Sequence, residues 1–193
     1  MIRHFRIIKP EIRVLGVDDG VFVPHTKGSV PVIGVIYRGG YWFDGIMHTE
    51  VEVDGFDATE KIAEMIHRSP HRKQLRVIVL NGVTFAGFNV VNIKTLYRKT
   101  QLPVMAIVQK KPDFEDIHKA LENLPNPDMR WRDILDAGEE YAVGTRNSKG
   151  RIYIHLAGLA EEDAKKIIQL TSTRSNVPEA LRVAHLVASG ISA

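Results

Sequence analysis

Two neighbouring acids end the first apolar segment of the chain, in the stretch GVDDG (16–20), where they could bind a ligand. Sheets of α/β proteins hold their ligands at the C-terminal ends of strands, so Asp18 and Asp19 are candidates for a site. Successive side chains of a strand point to opposite faces, and we therefore do not expect both acids to reach one metal ion. The alternative is that both acids simply begin a turn before Gly20.

A second group of interest is NGVTFAGFN (81–89), which follows another apolar strand. Asn81 together with Gly82 favours a tight turn into a helix, which explains the pair without any function. The small residues Gly82, Ala86 and Gly87 would also let a ligand or another backbone approach closely. The residue pattern leaves both interpretations open.

The last predicted helix carries three polar residues among apolar ones, namely Glu179, Arg182 and His185. Their three-residue spacing places them in a slanted stripe on one side of the helix. Such a stripe could face a site. It could equally be a structural Glu–Arg pair beside a satisfied histidine in the core.

The elements that must position these groups alternate along the chain. Apolar runs and cap signals predict strands at 12–19, 30–38, 41–54, 76–81, 102–109 and 151–159, with helices at 57–68, 89–100, 113–124, 161–170 and 178–191. Asp57 with Glu60 predicts a capping box at the start of the first helix. A hairpin followed by crossovers predicts one α/β domain over residues 1–193, with a mixed sheet.

Composition limits the protein class only broadly. The chain is 44% hydrophobic and 25% charged, which is ordinary for a soluble domain, and it has no Cys for a thiolate site. No segment is apolar enough to span a bilayer, so no membrane partner and a cytoplasmic location are expected. The net charge of +3 and basic clusters at 67–76, 94–99 and 109–111 fit contact with nucleic acid, although charge alone does not establish it.

Taken together, VLGVDDG, VIVLNGVTFAGFNVV and SNVPEALRVAHLVA resemble an archaeal family of uncharacterised proteins related to endonuclease V. The resemblance to the archaeal family spans nearly the whole chain, whereas the resemblance to endonuclease V itself rests on these segments. It implies an RNase H-like α/β fold, with a five-stranded mixed sheet (three antiparallel strands, then parallel crossovers) and helices on both faces. Endonuclease V is a Mg²⁺-dependent nuclease that cuts near deaminated bases such as inosine.

The resemblance also implies a set of metal ligands. Gly16-Val17-Asp18 is similar to the family's G-x-D element, which makes Asp18 the first ligand. Asn81 stands where the fourth strand of endonuclease V ends in an Asp. His185 stands where its P-E-x-x-R-x-A-D helix carries a metal-binding Asp.

The family's Glu ligand falls after the third strand, where we favour Asp54 over Glu52 and Asp57. The resemblance thus implies a metal set of Asp18, Asp54, Asn81 and His185. Endonuclease V also inserts a P-Y-x-P-G wedge beside the lesion. That motif is absent from YRGGYWFDG, although Tyr41 and Trp42 in this stretch are aromatic.

The remaining site predictions concern catalysis and phosphate binding. The catalytic set implied is Asp18, His185 and Glu179. The phosphate or nucleic-acid contacts implied are Arg182, Gly82 and Thr84. Relative to endonuclease V, Asn and His remove two negative charges, which weakens a site for Mg²⁺ or Mn²⁺.

Three functions follow from this site. The first is metal-dependent phosphodiester hydrolysis of DNA or RNA at an altered site. The second is a catalytically silent nucleic-acid-binding module, which would need no metal. The third is an unrelated small-molecule activity in the same pocket.

Overall fold

The computed structural model describes residues 4–23, 26–144 and 150–191. The strands are β1 (Arg13–Asp19), β2 (Ser29–Arg38), β3 (Trp42–Glu52), β4 (Val77–Asn81), β5 (Thr84–Phe85), β6 (Asn89–Val90), β7 (Val104–Val108), β8 (Glu140–Gly144) and β9 (Arg151–Ala157). The helices are α1 (Ala58–Arg68), α2 (Ile93–Thr100), α3 (Phe114–Leu121), α4 (Pro127–Asp136), α5 (Glu161–Thr171) and α6 (Glu179–Ile191). None of the helices in these ranges is both long and apolar enough to cross a bilayer.

The main sheet has seven strands in the order β3-β2-β1-β4-β7-β9-β8, and β5 pairs with β6 in a separate ribbon. Strand β2 pairs antiparallel with both β1 and β3. Strand β4 pairs parallel with both β1 and β7. The predicted mixed α/β architecture is therefore confirmed. The resemblance implied five strands, whereas the sheet has seven, because β9, which was predicted at 151–159, and the unpredicted β8 extend it at the β7 edge with antiparallel pairing.

The central strand β1 is covered on both sides by helices, which explains its continuous apolar sequence. Leu15 and Val17 face a core cluster shared with α1 and α2, whereas Val14 faces a second cluster shared with α5 and α6. Helix α6 approaches β1 closely at Gly16, where an added Cβ would lie 2.2 Å from the carbonyl carbon of Ala180. A larger residue at Gly16 would displace the helix that carries His185.

The start of α1 differs from the predicted capping box. Asp57 occupies the N-cap position without a cap hydrogen bond from its side chain. Instead, Asn89 Oδ1 accepts a hydrogen bond from the Ala58 amide at 3.0 Å, and Asn89 Nδ2 donates to Asp57 Oδ1 at 2.6 Å. The cap comes from β6 because tertiary packing brings Asn89 to the helix end, so the prediction that Asp57 pairs with Glu60 in a capping box was wrong.

The second predicted helix is shorter than expected at its start. Residues 89–90 form β6, and α2 begins only after Asn92, whose side-chain oxygen accepts a hydrogen bond from the Thr95 amide at 2.9 Å. The short, partly polar strand β8 was not predicted, because its sequence EYAVG lacks a sustained apolar run. Its pairing with β9 supplies the missing stabilisation.

Candidate functional site

The tips of β1 and β4 bring Asp18 and Asn81 together. These strands are parallel with Val17 paired to Leu80, so the next residue on each strand faces the same side of the sheet. Asn81 Nδ2 lies 3.0 Å from both carboxylate oxygens of Asp18. Asp18 is only 2% exposed, and the amide protons therefore offset part of the cost of burying its charge.

His185 completes this group from α6. Its Nδ1 lies 2.8 Å from Asp18 Oδ2. The carboxylate accepts, so Nδ1 carries the proton and donates. The His185 side chain is 60% exposed, unlike that of a core histidine, and its other ring nitrogen, Nε2, is turned away from Asp18. A buried acid that orients an exposed imidazole is an arrangement suited to proton transfer.

Glu179, one of the implied catalytic residues, lies away from solvent. It is fully buried, and its Oε2 accepts hydrogen bonds from Arg182 Nε at 2.9 Å and Nη2 at 2.7 Å. Its Oε1 accepts from the Arg174 amide at 3.0 Å. The hydrogen bonds that Arg182 donates to Glu179 raise the pKa of Arg182 and keep the guanidinium charged. The structure thus places Glu179 as the partner that holds Arg182, which agrees with the structural alternative for this part of the stripe.

Asp19 points to the opposite face of the sheet from Asp18. Its Oδ2 accepts a hydrogen bond from the Ala86 amide at 2.7 Å, which ties β1 to the loop after β5. Burial raises the pKa of Asp19 to about 6, and the charge of Asp18 adds to the increase while the Ala86 amide opposes it. The Asp19 carboxylate therefore stabilises the loop that follows Asn81.

Asp54 is engaged elsewhere. Its backbone is left-handed (φ 50°), and its Oδ1 accepts a hydrogen bond from the Phe88 amide at 2.8 Å. An added Cβ at Gly87 would lie 2.2 Å from that oxygen, so the contact requires glycine there. The hydrogen bonds of the Asp54 carboxylate in the described structure join it to this loop, and none joins it to Asp18 or His185. Of the implied metal set, the structure brings together Asp18, Asn81 and His185.

Arg130 holds the Asp54 loop, and the sequence carried no signal for this role. The side chain is 1% exposed, and its guanidinium donates to the carbonyl oxygens of Asp54, Gly55 and Phe88 and, through Nε, to that of Pro125. It also stacks on the Phe56 ring at 3.9 Å. Burial lowers the pKa of Arg130, and the nearby Asp54 charge opposes that shift. Backbone carbonyls thus replace the carboxylate partner that a buried Arg usually has.

Gly82 and Thr84, implied as phosphate contacts, line a cavity of about 330 Å³ beside the tips of β4 and β7. Gly82 adopts φ 76°, a conformation that favours glycine, and its amide donates to Ile107 O at 2.8 Å. The cavity begins one residue beyond Asn81. It reaches to His155, which the sequence interpretation did not consider.

The aromatic residues of the β2–β3 hairpin lie far from this edge. Trp42 on β3 pairs with Arg38 on β2, and Arg38 pairs in turn with Arg13 on β1. Arg13 lies five residues along β1 from Asp18. At about 3.3 Å per residue, that separation is roughly 17 Å along the strand. Tyr41 and Trp42 are exposed at the opposite end of the sheet and cannot act as a wedge beside Asp18.

The donor set at Asp18 does not fit the Mg²⁺ centre that the resemblance implied. Mg²⁺ prefers oxygen ligands, and a two-metal centre needs several carboxylates, whereas the three converging side chains supply one. Both oxygens of that carboxylate already accept hydrogen bonds from Asn81 or His185. Within the described ranges, no three His, Cys, Asp or Glu side chains form a group that could hold a metal ion.

The fold and the buried acid at the tip of the central strand define an RNase H-like α/β protein. Endonuclease V of Bacillus subtilis shares this fold, with a TM-score of 0.63 and 12% identity over 97% of this chain and 84% of that one. Endonuclease V of Ciona intestinalis, solved with a 24mer DNA containing an inosine, gives a TM-score of 0.58 and 12% identity over 89% and 82% of the two chains.

The family model Endonuclease dU matches residues 10–192, and the chain belongs to that family. The UPF0215 protein of Methanopyrus kandleri is 47% identical over 186 residues, which cover 96% of this chain and 94% of the relative. A crystal structure of a protein of unknown function from Archaeoglobus fulgidus gives a TM-score of 0.82 and 38% identity over 93% and 97% of the two chains. The predicted relation to an archaeal family similar to endonuclease V is confirmed.

Proposed function

We propose that this protein is an endonuclease that hydrolyses phosphodiester bonds in DNA, with Asp18, Asn81 and His185 as its reacting site. The observation that carries the proposal is the 2.8 Å hydrogen bond from the exposed His185 imidazole to the buried Asp18 carboxylate. It lies at the C-terminal edge of the parallel strands, where such sheets place their ligands. Membership of the Endonuclease dU family supports nuclease chemistry and makes deoxyuridine in DNA the first substrate to test.

The site supports a hydrolytic step through His185. Nε2 accepts a proton from a water molecule as the water oxygen forms a bond to phosphorus. The bond from phosphorus to one ester oxygen breaks, and that oxygen leaves with a proton from solvent. The Nδ1 proton stays on the resulting imidazolium and remains hydrogen-bonded to Asp18. The negative charge of Asp18 stabilises this cation.

Arg182 is the proposed phosphate contact. It lies three residues before His185 and therefore on the same side of α6. Glu179 binds its Nε and Nη2, and Nη1 makes no hydrogen bond to any residue that the structure describes. A guanidinium held in place by a buried acid can donate to a phosphate oxygen without losing its orientation.

The first experiment is a cleavage assay on end-labelled duplexes that contain a single deoxyuridine or inosine, beside plain DNA and RNA. We expect Asp18→Ala and His185→Ala each to lower the cleavage rate by about 100- to 10,000-fold, the usual contribution of general acid–base groups. His67→Ala is the matched control, because His67 is exposed on α1, away from the strand tips. Cleavage at the wild-type rate by both site variants, with their folding confirmed by circular dichroism, would contradict the proposal.

The same assay after chelation, with Mg²⁺ or Mn²⁺ added back, tests the prediction of a weak divalent site. A stronger response to Mn²⁺ than to Mg²⁺ would indicate an ion bound through the His185 nitrogen, because imidazole suits Mn²⁺ better. Cleavage that survives chelation would indicate that His185 acts alone.

The engaged carboxylate also favours one second candidate, a silent nucleic-acid-binding module. Asp18 already has hydrogen-bond partners for both oxygens, as a structural acid would. This candidate predicts salt-dependent DNA or RNA binding without turnover on every substrate. Binding that is absent, or insensitive to salt, would count against it.

A further inference from the structure

The cavity of about 330 Å³ beside Gly82 lies on the other side of the strand tips from His185. Its walls are mostly apolar and include Val83, Val108 and Phe114. That volume is at the lower end of the range for small-ligand sites. The cavity therefore suits a flat, compact group such as one nucleobase.

His155 is the most deeply buried polar side chain that lines this cavity. It belongs to β9, is 7% exposed, and places Nδ1 3.2 Å from the carbonyl oxygen of Gly138. A carbonyl oxygen can only accept, so Nδ1 carries the proton of the neutral ring and Nε2 carries the lone pair. Among the described residues, none donates a hydrogen bond to Nε2. His155 therefore offers an acceptor to whatever enters the cavity.

The position of the cavity relates it to the proposed reacting site. Asp18 lies on β1 and Val108 on β7, two strands away, which is a lateral distance of about 10 Å. Stacked nucleotides of one strand are spaced about 3.4 Å along the helix axis. Because the cavity and His185 lie on opposite sides of the strand tips, a base in the cavity and a phosphate at His185 would belong to separate nucleotides of one strand that passes over those tips.

The cavity rim carries positive charge. Lys110 and Lys111 line it, are exposed, and form no ion pair within the described residues. Ammonium groups at such a rim attract the phosphates on either side of an extruded nucleotide. Apolar walls with a basic rim match a nucleotide better than they match an apolar metabolite.

We propose that this cavity holds a base swung out of the duplex and that His155 selects bases whose ring nitrogen carries a proton, as in uracil and hypoxanthine. The inference rests on the proposed endonuclease function and extends it to substrate selection. Cytosine and adenine present a lone pair at the equivalent ring nitrogen, which would face the lone pair of His155 Nε2 and repel it. Deamination converts that lone pair into an N–H donor.

Thymine and guanine also carry a ring N–H, and the cost of extrusion separates them from the deaminated bases. A base must leave its stack and its pair to enter the cavity, and a mismatched base does so at the lowest cost. Uracil opposite guanine is a mismatch, whereas thymine and guanine ordinarily stand in matched pairs. Base selection would thus depend both on the hydrogen bond to His155 and on the free energy needed to break the base pair.

The test compares deoxyuridine with N3-methyl-deoxyuridine, both opposite guanine, in wild type, His155→Gln and His155→Ala. The methyl group removes the proton that Nε2 would accept. We expect N3-methylation to slow wild-type cleavage by about 10- to 100-fold. His155→Gln, which keeps an acceptor, should retain most of that preference. His155→Ala should lose it and cleave the two substrates at similar rates.

The outcomes separate this inference from the proposed function. Wild-type cleavage that ignores N3-methylation overturns the role of His155 while leaving the endonuclease function intact. An undiminished preference in His155→Ala assigns discrimination to other walls and also overturns it. The absence of cleavage of any substrate by wild type contradicts the endonuclease function itself. The wild-type comparison requires no variant, so a poorly folded His155→Ala protein would not obscure the result.

Discussion

Replacing Asn81 by Asp tests whether the amide is what stabilises the buried Asp18 carboxylate. The change removes a donor 3.0 Å from both Asp18 oxygens and puts a second negative charge in its place. Losing hydrogen bonds to a charged acceptor costs about 1.5–3 kcal/mol. Two charges about 4 Å apart repel by about 1 kcal/mol in water and about 4 kcal/mol near a protein surface. Asn81 is exposed, which favours the lower value, and we expect Asn81→Asp to lose about 2–4 kcal/mol at pH 7.

Thermal unfolding measures this loss. For a chain of 193 residues, 1 kcal/mol corresponds to about 2–4 °C in melting temperature, so the expected decrease is about 5–15 °C. Because a paired carboxylate site binds cations, Mg²⁺ should recover much of the decrease. A dissociation constant near 0.1 mM would return about 2.7 kcal/mol at 10 mM Mg²⁺. Wild type, with one carboxylate in the site, should respond far less.

Two controls separate the effect of charge from that of the lost hydrogen bonds. Asn81→Ala removes the donors without adding a charge and should show no recovery with Mg²⁺. Asn123→Asp adds a negative charge at an exposed position between α3 and α4 and should melt near wild type. The reasoning would be refuted if both variants melted at the wild-type temperature, because the amide would then not be compensating Asp18. It would also be refuted if Asn81→Asp melted with Asn81→Ala and did not respond to Mg²⁺, because the added charge would then have no effect.

Three further predictions concern the scaffold that holds the site. Gly16→Ala should lower the free energy of unfolding in urea by about 1–3 kcal/mol and lower cleavage activity, because the added Cβ would collide with the backbone of α6. The control is Gly190→Ala, which has open space around it and should be neutral or slightly stabilising. Arg130→Met should lower the free energy of unfolding by about 3–5 kcal/mol, because it leaves buried carbonyl groups without a donor. Arg130→Lys should recover only part of that loss, since one ammonium group cannot reach all of these carbonyl groups. Hydrogen bonds from two arginines lower the pKa of Asp44 against the opposing effect of its burial, so Asp44→Asn should lose about 1 kcal/mol at pH 7. That difference should begin to shrink below about pH 4 and vanish once the pH has fallen through the lowered pKa of Asp44 in the folded protein, because the stabilisation exists only while the folded carboxylate is ionised. A constant difference from pH 7 to pH 2.5 would refute it.

The sequence by itself was sufficient to predict the class of fold. The apolar runs of β1, β4 and β7 and the capped helices carry their own periodicity, which depends on local burial. Asp18 was a candidate from its place at the end of a strand, whereas Asn81 and His185 were singled out by the resemblance to the archaeal family. Short elements such as β8 escaped prediction, because their stability comes from a partner strand.

Only the tertiary structure decided which polar groups meet. Glu179 and His185 lie six residues apart on one helix. Glu179 is fully buried, whereas His185 is largely exposed and forms a hydrogen bond with Asp18. Asp54 was favoured from the sequence as the replacement for the family's Glu ligand, but in the structure its carboxylate accepts a hydrogen bond from the Phe88 amide. Arg130 and His155 gave no local signal, because their partners are backbone carbonyl groups rather than a sequence motif. Hydrogen bonds act over about 3 Å, and the register and packing that set such distances are properties of the whole fold.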